Sequence, residues 1–122
     1  MTATITALVI PVDGEPRTEQ LTPDTAEVYA EIVGGYIEAS FGDTSTGERA
    51  TFYSNADSIA ENLPLNIVAT ALWHRLNPDA HRNQLRGAVI AVGANRCDDA
   101  DAPVLVTRLA RVLHWQLTRG TK

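Results

Sequence analysis

Between Gly87 and Gly93 runs Ala88-Val89-Ile90-Ala91-Val92, five side chains without a polar atom among them. A strand wetted on one side would alternate, and the two glycines leave too little room for a helix, so the segment Gly87–Val92 reads as a central strand covered on both faces. The rest of the chain has to be arranged around that strand. A second apolar run, Ala7-Leu8-Val9-Ile10, sits within a segment from Thr4 to Val12 that begins by alternating, and it also reads as a buried strand.

The other elements are read from punctuation and period. Asp13-Gly14-Glu15-Pro16 has turn chemistry and leads by a hairpin into a short strand, Arg17–Leu21. Thr22-Pro23 is a helix start, with Asp24 and Glu27 suited to the positive end of the helix dipole. Ala26, Tyr29, Ile32 and Val33 give that helix one apolar face until Gly34-Gly35 stops it. Tyr36–Phe41 alternates as a half-buried strand, Gly42–Gly47 is a loop whose length suggests mobility, and Arg49–Ser54 returns with Ala50 and Phe52 inward. Asn55–Leu63 has no clear period. Asn66 caps a second helix lined by Val68, Ala69, Leu72, Trp73 and Leu76, ending at Asn77-Pro78. After an acidic loop, Asp98-Asp99-Ala100-Asp101, a third helix from Pro103 to Thr118 carries Leu105, Leu109, Val112, Leu113 and Leu117 on one side, with Arg108, Arg111 and Gln116 toward another.

This order predicts an α+β fold in one domain, residues 1–122: a small mixed sheet of about five strands, packed by three helices as a single pair of layers. A length of 122 residues can bury a core without metal or disulfide. Cys97 is the only cysteine, which fits a reducing compartment, and no run approaches the roughly eighteen apolar residues of a membrane span. A cytoplasmic location is expected. The formal net charge of -5 argues against a broad phosphate-binding surface, although five of the ten Lys and Arg residues fall after position 95.

Three fragments carry a resemblance. Val9-Ile10-Pro11-Val12-Asp13-Gly14-Glu15-Pro16, then Val33-Gly34-Gly35-Tyr36-Ile37-Glu38-Ala39, then Leu63-Pro64-Leu65-Asn66 with Ala69-Thr70-Ala71-Leu72, stand in the order and spacing of the family called Domain of Unknown Function 3846. With Gly87–Gly93 they make the chain resemble that family over residues 5–93. The resemblance implies an accessory protein of a bacteriophage, a plasmid or an actinobacterial host, and it implies no reaction. Tyr29-Ala30 stands where members often have Leu-Gln, and the helical addition at residues 102–118 lies beyond the resemblance.

Chemistry is sparse. His74, Asp79 and His81 approach a metal cluster, but the histidines are seven residues apart with Pro78 between them, so the one-turn spacing of paired helix ligands is missing. Cys97 precedes Asp98 and Asp99, which work against a reactive thiolate. No phosphate loop and no serine elbow is present, and no cofactor or metal is expected.

The leading expectation is therefore a non-catalytic binding or regulatory module acting on a host protein or a small ligand. Polar residues where loops meet elements, Asp13, Tyr36, Glu38, Asn55, Asn66 and Thr70, are the candidates to line a groove. Each also has an ordinary structural use as cap, turn former or packed strand residue. An alternative is a nucleic-acid contact through Arg108 and Arg111 with Trp115 stacking or wedging, against which Trp115 packs in the core or in a homodimer interface. A further alternative is inhibition of a host DNA-binding enzyme by Asp13, Glu15 and Glu19 together with Asp98, Asp99 and Asp101 imitating phosphates.

Overall fold

The computed structural model describes residues 4–23, 26–96 and 98–119. Strands β1 (Ile5–Ile10) and β2 (Arg17–Leu21) form a first hairpin, followed by helix α1 (Ala26–Val33). A second hairpin, β3 (Ile37–Asp43) and β4 (Arg49–Asn55), leads to α2 (Ile67–Leu76) and a 3-10 turn, Pro78–Ala80. Strands β5 (Val89–Asn95) and β6 (Asp98–Ala100) then precede α3 (Val104–Arg119). The fold is α+β, as the sequence predicts. Asp24, expected to complement the helix dipole, and Cys97 lie outside the described residues.

The sheet has six strands in the order β2-β1-β5-β4-β3, with β6 paired to the far end of β5. Its expected mixed character is corrected: every pair is antiparallel. Hairpins account for three of those pairs. The β4–β5 pair is antiparallel because the chain leaves along α2 and comes back, so that Leu65 bridges Arg86 and the Asn66 amide donates to the Leu85 carbonyl at 2.9 Å. Strand β5 thus starts at the end where β4 stops. A parallel neighbour would need a one-way crossover.

The single pair of layers is also corrected, to three. Leu8, Ile10, Phe52, Val89 and Ala91 face α2 and α3, where Leu72, Trp73, Val106, Ala110 and Leu113 meet them. Ile5, Ala7, Ile90 and Val92 face the opposite way, onto Tyr29 and Val33 of α1. Register makes both faces continuous, with Leu8, Ala91 and Phe52 abreast on one and Val9, Ile90 and Tyr53 on the other. The physical cause is the unbroken apolar run at residues 88–92. Each fully buried Val or Ile stabilises the fold by about 2 kcal/mol, and a strand apolar on both sides realises that only between two layers.

Two local features fix how the elements join. Gly34 ends α1 in the left-handed region, φ 84°, with its amide on the Ala30 carbonyl at 2.8 Å. The expected acidic loop is partly strand, since Asp98, Asp99 and Ala100 pair with Asn95, Ala94 and Gly93.

A candidate binding groove beside the third helix

Helix α3 turns Val106, Ala110 and Leu113 to the sheet. At 100° per residue, Val104, Arg108, Arg111 and Trp115 then fall on the opposite side, and Leu105 and Val112 on a shoulder between. That shoulder faces the last turn of α2. Between them lies a hollow of about 560 Å³, floored by Leu76, Leu105, Leu109 and Val112. Arg75, Arg108 and Pro78 stand at its margin, and Asp43 at the end of β3, with Thr44 and Ser45 of the β3–β4 loop, closes one end. Leu105 and Val112 remain 42% and 49% exposed, so the hollow is apolar and open to water.

The walls are held by specific bonds. Asn66 caps α2 by accepting from the Ala69 amide at 3.0 Å. At the other end of α2, Trp73 Nε1 and Asn77 Nδ2 both donate to the Phe41 carbonyl, at 3.0 and 2.8 Å, which ties the helix to the edge strand β3. Gly42 permits this approach, because a Cβ there would stand 2.6 Å from the Leu76 Cβ. The β3–β4 loop, expected to be mobile, is laced together: the Thr44 hydroxyl accepts from the Glu48 amide at 3.0 Å and the Thr44 amide donates to the Glu48 carbonyl at 2.8 Å.

Of the residues singled out from the sequence, Asn66, Thr70 and Asn55 are buried structural groups. Asn66 Nδ2 donates to the carbonyls of Ile10 and Gly87, both at 2.9 Å, and the Thr70 hydroxyl exchanges hydrogen bonds with the Leu85 backbone. Asn55 accepts from the Asp57 amide at 2.7 Å and donates to the Val33 carbonyl and Glu61. Asp13 is a turn residue, Tyr36 is 81% exposed just ahead of β3, and Glu38 lies on the face of β3 toward α2 in a smaller hollow with Arg82 and Arg86. The structure does not bring these six together around one groove.

Arg108 belongs to the groove, whereas Arg111 and Trp115 line a smaller depression with Glu15 and His114. The carboxylate there works against a phosphate. The acidic residues do not form a free row either. Asp99 accepts from the hydroxyls of Tyr29 and Tyr53 at 2.8 and 2.9 Å, while those two rings stack at 4.7 Å. Asp101 accepts from the Thr6 amide at 2.7 Å, and Glu19 pairs with Arg17.

Among the described residues, no cluster of three His, Cys, Asp or Glu side chains is placed to hold a metal. His74 Nε2 contacts the Asn83 carbonyl at 2.7 Å and His81 Nδ1 the Pro78 carbonyl at 3.1 Å. No helix among the described residues is long and apolar enough to cross a membrane.

Sequence reasoning misses the groove because Leu105, Leu109 and Val112 read as one core stripe with Leu113 and Leu117. The available signal is the width of that stripe, which spans more of the helix than a single sheet contact can cover.

Architecture and groove together describe a three-layer α+β protein with an antiparallel sheet and an open apolar hollow bordered by arginines. The chain belongs to the family described as Domain of unknown function (DUF3846), whose model matches residues 5–114. The match passes residue 93 and takes in most of α3, including every groove residue that the helix supplies. No curated protein and no solved structure matches the chain.

Proposed function

We propose that the chain is a non-catalytic binding module, an accessory factor of a mobile element or its host as the family resemblance implies, and that it binds through the α2–α3 groove. One observation carries this reading. Leu105 and Val112 leave nearly half of their surface to water beside a hollow of about 560 Å³. Contiguous apolar surface of this kind marks sites of association, and the volume lies within the roughly 300–1,000 Å³ typical of ligand pockets.

The chemistry at the margin supports binding over catalysis. Arg75 and Arg108 bring guanidinium donors to the margin, groups suited to holding an acidic ligand. His74 and His81, the two imidazoles singled out from the sequence, each contact a backbone carbonyl and do not line the groove.

The test uses anilinonaphthalene sulfonate, an apolar fluorophore bearing one negative charge. Its emission rises and saturates with the intact protein. Leu105→Glu and Val112→Glu weaken that binding by about tenfold or more while leaving Tm nearly unchanged, because exposed helix positions tolerate substitution within about 0.5 kcal/mol. Undiminished emission from both variants overturns the reading.

A further inference from the structure

We infer that the occupant of the groove is an acidic amphipathic helix of a partner protein; this rests on the groove reading above and names its partner. Leu105, Arg108, Val112 and Trp115 recur at spacings of three, four and three along the exposed side of α3. That row is the seam a second helix packs against, and at 1.5 Å per residue it runs for about 15 Å, close to three turns. The seam continues past the open hollow, so a rod fits it better than a compact small molecule. Helix-in-groove recognition uses this geometry.

Charge decides which rod. Arg75, Arg108 and Arg111 are exposed, and the ion pairs among the described residues are Arg17–Glu19 and Arg49–Asp43, so none of the three is in one. Of the nearby carboxylates, Asp43 pairs with Arg49, and Asp101, which shares a hollow with Arg108 and Arg111, accepts from the Thr6 amide. Glu15, beside Arg111 and Trp115, is the exception. A second copy would set Arg108 and Arg111 against the same arginines across a two-fold axis, which disfavours self-pairing. A helix with leucines on one stripe and glutamates on both flanks satisfies floor and margin together.

The experiment uses the full chain and a synthetic peptide of about four turns, with leucines at i, i+3, i+4 and i+7 and glutamates beside them, and a twin in which every glutamate is lysine. Trp115, 57% exposed on the seam, reports binding by a shift of its emission. The acidic peptide is expected to bind roughly tenfold or more tightly than the twin, with the gap narrowing as salt rises. In the double variant Arg75→Glu, Arg108→Glu the preference reverses. Equal binding of the two peptides overturns the inference, as does concentration-dependent dimerisation that Leu105→Glu abolishes, or a gel shift of an oligonucleotide that the peptide fails to compete away. If the fluorophore binds the groove and the acidic peptide does not, the partner is wrong and the groove stands. If neither binds, both fall.

Discussion

Asn66 carries three jobs on one side chain. Its Oδ1 caps α2 while its Nδ2 bridges the carbonyls of Ile10 and Gly87, and the residue is fully buried. Asn66→Ala strips all three bonds and leaves buried backbone groups unpaired, so it should cost about 3 kcal/mol in denaturant unfolding. Asn66→Asp keeps a cap oxygen but turns a carboxylate toward two carbonyls, and should cost at least as much as the alanine, where an ordinary surface cap would tolerate the change. Equal stability of Asn66→Asp and the parent would contradict this assignment. Asp99 invites the same scrutiny. Tyr53→Phe removes one of its donors and should cost about 1 kcal/mol, whereas Asp99→Ala takes the acceptor from both phenols and should cost more. At this scale a buried cap and a ligand-binding amide look alike in sequence, because both are polar residues at the start of an element. That is why Asn55, Asn66 and Thr70 read as site candidates, and only burial separates the two uses.

Elements are legible where their period is strong. The apolar run from Val89 to Val92 and the cap and stripe of α2 announce a two-sided strand and a one-faced helix; the helix stands where the sequence puts it, while the strand runs on through Gly93 to Asn95. Strand β6 is not legible, since its aspartates disfavour a strand locally. The tyrosines that anchor Asp99 are 70 and 46 residues away in the chain. The second helix packs against β3 through Gly42, and Gly42→Ala must push the Leu76 Cβ from a 2.6 Å approach. That variant should lose about 1–3 kcal/mol of stability, read as a fall in Tm, and should also weaken fluorophore binding because Leu76 floors the groove. An unchanged Tm would show that α2 and β3 adjust at no cost.

At the scale of the molecule, one strand sets the layer count and the third helix supplies most of the proposed binding surface. A strand apolar on both faces needs helices on both sides, which gives α1 one face of the sheet and α2 with α3 the other. The apolar arc of α3 is wider than its sheet contact, and the surplus at Leu105, Leu109 and Val112 meets the end of α2 to make the groove. An overall charge of -5 coexists with a cationic margin there, so the attraction proposed for an acidic partner is local and sensitive to salt. Amide chemical-shift mapping of the full chain titrated with the acidic amphipathic peptide tests that claim most directly. The predicted result is a contiguous set of shifts at Thr44–Ser45, Arg75–Leu76 and Leu105–Val112, with α1 and the sheet face beneath it unmoved. Shifts centred on α1 or on β2, with the α2–α3 groove silent, would contradict it.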